Sequence, residues 1–231
     1  MSQYYTLLTS LPHLPVLEKS RQLPISRLAL ESRLSMLCET DCAQLDAIEA
    51  LYFPNPSVLS GLADREVVQA WKSALLLLES DVLKERIAYQ LEIRSLLAAL
   101  RYREAGGKNP DQFIGFGRWH SFIKNHWFEP FFGMDEFQPQ IQKIARYLKE
   151  NRPGHADKLL DQMLWQDLFY CEKQQGFSFS AVACYVLRWG IVSRYLSADA
   201  DAALIKFDDV TRHLLMKTTF IDDLNQESAN R

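Results

Sequence analysis

The chain has 231 residues, 48% of them hydrophobic and 24% charged, which is enough apolar surface for a sizeable core and too little charge for a disordered chain. A formal net charge of −3 and a pI near 6.0 provide no global basic field, and this argues against nucleic acid as a partner. Four cysteines (Cys38, Cys42, Cys171 and Cys184) are too few and too scattered for a disulfide scaffold and read as small buried hydrophobes. The opening Met1-Ser2-Gln3-Tyr4-Tyr5 lacks a basic region, and Pro12 and Pro15 interrupt the next stretch, so no signal peptide is expected. Uninterrupted apolar runs such as Ala74 to Leu78 are far too short to span a bilayer; any membrane association is expected to pass through a partner.

In chain order, Tyr4 to Ser10 is the one strand-like piece, and Pro12 and Pro15 end it. Ser26 then reads as an N-cap before Leu30, Leu34 and Leu37 at helical spacing. Thr40-Asp41 starts a short helix through Leu45, Ile48 and Leu51, and Pro54-Asn55-Pro56 breaks the chain. Asp64 is expected to cap a helix carrying Val67, Val68, Trp71 and the leucines 75 to 78. After Ser80-Asp81 a longer helix runs to about Ala105, striped by Leu83, Ile87, Leu91, Leu97 and Leu100, and Gly106-Gly107 stops it in a left-handed turn. From Lys108 to Gly133 the chain carries a dense aromatic set that includes Phe113, Phe116, Trp119, Trp127 and Phe132. Helical spacing resumes through Ile141, Ile144 and Tyr147, and again after Pro153-Gly154 through Leu160, Leu164 and Leu168. Gly176 ends that helix, and Ser178 or Ser180 opens the next, through Val182, Val186, Trp189 and Tyr195. Asp199 is expected to cap a last one with Leu204, Phe207, Val210 and Leu214. The prediction is an all-α bundle of about nine helices, one domain over 1–231, with a subdivision near 106–134.

Constellations that carry chemistry are sparse. Gly115-Phe116-Gly117 lacks the third glycine and the preceding strand of a phosphate loop. No Glu has a His three residues later, as a ferritin-like site requires. Asp208-Asp209 and Asp222-Asp223 have Arg212 and Gln226 where a third acidic ligand would stand. No serine sits in a nucleophile elbow. These patterns assign no catalytic residue, cofactor or metal. Two polar-aromatic features remain as candidates for partner contact. The aromatic segment interleaves Arg118, Trp119, Lys124 and Trp127; it reads first as core and second as a docking patch. Arg94 and Arg101, seven apart on one helical face with Arg103 nearby, are expected to face solvent or an acidic partner, because burying an unpaired guanidinium is costly.

The run from Leu91 to Gly106, containing Arg94, Leu97, Leu100, Arg101 and Arg103, resembles a helix of the C-type central-stalk subunit (d-type in eukaryotes) of the V/A-type rotary ATPases. Phe179 to Tyr195 and the opening Tyr4 to Pro12 look like segments of short bacterial proteins tied to V-type ATPases. The resemblance implies a non-catalytic helical socket in the central stalk of an ion-translocating ATPase. Such a socket sits on the membrane rotor ring and receives the soluble rotor shaft, in the cytoplasm at the inner face of the membrane, without inserting into it. The C-type subunit itself is longer and built of three similar helical parts. Beside this stand two alternatives: a helical adaptor docking an unrelated protein, and a helical metal-dependent enzyme.

Overall fold

The computed structural model describes residues 2–55, 61–136 and 138–198. Among these residues the fold is all-α, with nine α-helices, three 3-10 turns and no strand. The helices are α1 (Ser2–Ser10), α2 (Arg27–Leu34), α3 (Glu39–Tyr52), α4 (Asp64–Leu77), α5 (Asp81–Glu104), α6 (Trp119–Asn125), α7 (Ile141–Lys149), α8 (Pro153–Gln175) and α9 (179–198). The helix expected from Asp199 to Leu214, and both Asp-Asp pairs, lie outside the described residues.

The expected extended segment at Tyr4–Ser10 is instead part of helix α1. A strand would send Leu7 and Leu11 to one face and Tyr4 and Leu8 to the other. A helix puts all four on one side, where Leu7 is fully buried and Tyr4, Leu8 and Leu11 pack on the same core. The Tyr4 hydroxyl donates to Asp41 Oδ2 at 2.7 Å, which fixes α1 against α3, and that bond together with burial pushes its pKa up to about 12.

Serine caps open three of the other helices. Ser26, Ser80 and Ser178 accept from the backbone N–H groups of Ala29, Leu83 and Ala181. Asp64 is the first residue of α4 rather than its cap; Ala63 holds that position, and its N–H is taken by Glu66 Oε2 at 2.8 Å. At the end of α5, Gly106 adopts φ +91° and the Gly107 N–H reaches back to the Tyr102 carbonyl at 2.9 Å, the left-handed stop that the sequence predicts.

Two hydrophobic clusters form the interior. The first joins α1, α2, α3, parts of α4, the beginning of α5, the end of α8 and most of α9. The second joins the rest of α5, the aromatic segment, α7 and the beginning of α8. Along α5, Leu83, Ile87 and Leu91 belong to the first cluster and Ile93, Leu96 and Leu100 to the second. Along α8 the order reverses, with Ala156 and Leu160 in the second and Leu164, Trp165 and Leu168 in the first. These two long helices therefore run antiparallel as struts through both clusters, and the divide crosses them near Glu92 and Asp161. Within the segment 106–134, Phe113, Ile123, Trp127, Phe132 and Met134 belong to the second cluster and Phe116 to the first.

Within that segment Phe113, Phe116, Trp127 and Phe132 are buried, so its first reading, as core, is the observed one. Phe131, Phe132 and Gly133 take positive φ (51°, 56° and 64°), one short left-handed turn. That conformation costs a non-glycine residue roughly 1–2 kcal/mol. It is offset by complete burial of Phe132 and by Arg103, which lies 4.1 Å from the Phe132 ring and donates to the Trp127 and Glu129 carbonyls at 3.0 and 2.8 Å.

His120 holds the entry to the segment, its Nδ1 accepting from the Gly115 N–H at 3.1 Å. Burial, reinforced by Lys124 and Lys72, lowers its pKa below the ordinary value. The unfolded chain therefore binds this proton more readily than the folded one, and stability falls as pH drops through the unfolded value of about 6.5. Melting temperature is expected to decrease between about pH 7.5 and about pH 5, and His120→Asn, which keeps an acceptor but cannot ionise, should flatten that decrease. An equal decrease in the variant would assign the pH dependence to other groups.

Candidate functional site

An open groove of about 1090 Å³ lies between α4, α5, α8 and α9. Its floor comes from one face of α5, where Gln90, Arg94, Leu97 and Arg101 recur at helical spacing. Asp157, Asp161 and Leu164 of α8 form one wall, Arg194 and Tyr195 of α9 another, and Val67 and Trp71 of α4 the third.

Arg94, expected with Arg101 to face solvent or a partner, lies in this open groove. It is half-buried in the groove floor, and its Nη2 donates to the Tyr52 carbonyl at 3.1 Å. Gln90 Nε2 donates to the same oxygen at 3.1 Å, so two side chains satisfy the last carbonyl of α3. The other faces of α5 are buried at this level, through Leu91, Ile93, Leu96 and Leu97, and the face of Arg94 and the exposed Ala98 is the one that opens on the groove. Burial and, second, the neighbouring Arg194 cation lower its pKa to about 10, against the opposing influence of Tyr52 and Asp161. It therefore remains charged at neutral pH, in surroundings that disfavour the charge.

Arg194 is ion-paired with Asp161 across α8 and α9 and stacks over the Phe53 ring at 5.3 Å. Asp161 is almost fully buried, and burial raises its pKa despite the Arg194 contact. Of the two guanidinium groups at the groove floor, Arg194 pairs with Asp161 and Arg94 with the Tyr52 carbonyl. Arg101 stands at the rim, more than half exposed, 3.9 Å from the equally exposed Asp157, a contact of little energetic weight.

Gly190 allows this arrangement. A Cβ there would lie 2.5 Å from the Phe53 ring, so the glycine lets α9 close on the end of α3. Gly190→Val is expected to displace Phe53 from beneath Arg194 and to cost about 1–3 kcal/mol in a urea unfolding measurement. A neutral result would show that Phe53 swings clear without consequence.

Of the seven residues singled out from sequence, only Arg94 and Arg101 meet in this groove. Arg103 faces the second core, over the Phe132 ring. Arg118 pairs with the buried Glu92 at 3.2 Å and lies over the Trp119 ring, and Trp119 itself packs edge-to-face on Tyr89. Lys124 pairs with Asp111 at 3.1 Å. Trp127 is 1% exposed and donates to the Gly107 carbonyl at 3.2 Å. The groove residues that the sequence does not single out are Gln90, Asp161 and Arg194. Their signal is a polar side chain inside a buried stripe, as Asp161 stands between Leu160 and Leu164. Among the described residues no group of three or more His, Cys, Asp or Glu side chains converges in a way that would hold a metal ion. No family model, curated protein or solved structure matches the chain.

Proposed function

We propose that the chain is a non-catalytic subunit or accessory protein of a V/A-type rotary ATPase, similar to a shortened C-type central-stalk subunit, and that its groove receives the end of the soluble rotor shaft. The observation that carries this reading is the groove floor, where Arg194 pairs with Asp161 while Arg94 donates to the Tyr52 carbonyl and is paired with no carboxylate among the described residues. A helix ending in the groove presents free carbonyls and carboxylates, and the surplus cation is the group that meets them. At about 1090 Å³ the groove lies at the upper limit of small-molecule pockets and admits the tip of a helix roughly 10 Å across. The walls are packed helices rather than loops, as a part that transmits torque requires. Among the described residues no helix is long and apolar enough to cross a membrane, so contact with the membrane ring is assigned to its protein subunits.

The test is affinity purification of the tagged full chain from solubilised membranes of its native host, read by mass spectrometry. Recovery of the nucleotide-binding and rotor subunits of a rotary ATPase is the expected outcome. A preparation without them, or a complex that already holds a full-length C-type subunit at the same place, overturns the reading. Consistent recovery of one unrelated protein would replace it with a helical adaptor.

A further inference from the structure

The last described residues of α9 stand in the wall of the groove, where Arg194, Tyr195 and Ala198 line it. Their direction follows from the packing. Arg101 meets Asp157 and Arg86 meets Asp167, so α5 and α8 run antiparallel. Arg194 meets Asp161, and Lys158 lies 5.3 Å from the Tyr195 ring centre, so α9 also runs antiparallel to α8 and therefore parallel to α5. The chain thus leaves α9 at the Arg101 end of the groove. A chain that reverses there through a short helix-to-helix turn travels back along the groove, from Arg101 toward Arg94 and Trp71.

The sequence that follows suits that course. Leu204, Phe207, Val210 and Leu214 recur at three and four spacing, the apolar stripe of the helix expected after Asp199. Asp201 stands three residues before Leu204 and Asp208 four after it, so both flank the stripe on that helix. From Asp199 to Asp209 four aspartates oppose the single cation Lys206. In the groove the balance is reversed, since Arg94, Arg101, Lys158 and Arg194 outnumber Asp64, Asp157 and Asp161. The spacings match as well. Asp201 and Asp208 are seven apart, about 10 Å along a helix, and so are Arg94 and Arg101. Between those arginines the groove offers apolar surface, from Leu97 and Ala98 of its floor to Val67, Trp71 and Leu164 of its walls.

We propose that residues 199–214 close the groove as an acidic amphipathic cover, antiparallel to α5, with Asp201 at Arg101, Asp208 at Arg94 and Leu204 over Ala98. A partner that docks on the arginine floor must displace this segment, so the chain carries its own competitor for that surface. The ion pairs stand at the open side of the groove and contribute little to stability, and the apolar stripe supplies most of the closure. The proposal rests on the groove and on the chain's own sequence, and not on the rotary ATPase reading.

Cysteine trapping in the full-length chain tests it with no partner present, so its failure and that of the rotary ATPase reading are separate results. With Cys38 and Cys42 replaced by Ser, Leu204→Cys is combined either with Ala98→Cys in the groove or with Leu76→Cys, at a position 82% exposed near the end of α4. Under mild oxidation the Ala98 combination should close within one chain roughly tenfold faster than the Leu76 combination, as expected for a segment held at high effective concentration. Adding Asp201→Arg and Asp208→Arg should slow that closure by roughly fivefold to tenfold, since two ion pairs become two like-charge contacts. Amide exchange on the unsubstituted chain is the second measurement. Residues 204–214 should be protected there, and should lose that protection in the Asp201→Arg/Asp208→Arg variant. Equal closing rates for the two combinations overturn the proposal, and so does an unprotected segment in the unsubstituted chain. A disulfide that joins two chains overturns it as well, in favour of a second copy in the groove.

Discussion

Trp127→Ala is expected to cost about 3–5 kcal/mol and to loosen the second core before the first. Trp127 is 1% exposed and stands at the centre of the aromatic segment, with Phe113, Phe132 and Tyr102 at ring-centre distances of 5.6, 5.2 and 5.7 Å. Its indole N–H is taken by the Gly107 carbonyl, so truncation also leaves an acceptor unmet just after the stop of α5. Its own carbonyl receives Arg103, which in turn lies over Phe132, one of the two phenylalanines in a left-handed conformation. Losing the ring therefore removes both volume and the support of a strained turn. Hydrogen exchange read residue by residue is the measurement: protection should fall in α6 and α7 while α1 and α9 keep theirs. Uniform loss along the chain would show that the two clusters unfold as one unit. A change below about 1 kcal/mol would show that the segment collapses onto the vacated space.

The helices α2 to α5 and α7 to α9 are legible in the sequence because apolar residues at three and four spacing coincide with strong punctuation, whereas α6 lies in the aromatic segment, where the sequence marks no helix. Ser26, Ser80, Gly106 and Gly176 each mark an end with a side chain or a backbone freedom that acts locally. Helix α1 is not legible. Tyr4, Tyr5 and Thr6 favour strands, and what overrules them is a contact with Asp41 and burial against residues far along the chain. The partial burial of Arg94 is not legible for a related reason. The leucine stripe of α5 is genuine at its start, but from Gln90 to Leu100 the helix is apolar or buried on nearly every side, and a helix of that kind runs through the interior. An arginine in such a stretch belongs to a wall, and the same pattern places Arg188 inside the α8–α9 hairpin. The pairing of Asp161 with Arg194 has no local sign at all, since it joins positions thirty-three apart on different helices.

Arg94→Met and Arg194→Met are expected to act in opposite directions on stability although both remove one guanidinium from the groove floor. For Arg94 the folded state disfavours the charge, through burial and the Arg194 cation. Removing that charge relieves both, and the Tyr52 carbonyl keeps its bond from Gln90, so unfolding free energy should stay the same or rise by up to about 1 kcal/mol. For Arg194 the residue left behind is Asp161, whose side chain is 9% exposed and which then carries an unpaired charge. The cost should be roughly 2 kcal/mol, below the 3–5 kcal/mol of a fully buried pair because Arg194 itself is 41% exposed. Asp161→Asn in the Arg194→Met background should recover most of it, since the orphaned charge is gone. Binding to the rotor partner should fall in both single variants, by about 2 kcal/mol or more, near thirtyfold in Kd, if the partner's carboxylate or helix end docks on this floor. A residue kept at no gain to folding and lost at a cost to binding is what a recognition cation looks like. Urea unfolding of the three variants, beside binding to the isolated shaft subunit at two salt concentrations, checks each limb. Destabilisation by Arg94→Met comparable to that of Arg194→Met would make Arg94 a structural tie to α3 and leave the groove floor without a surplus cation for a partner.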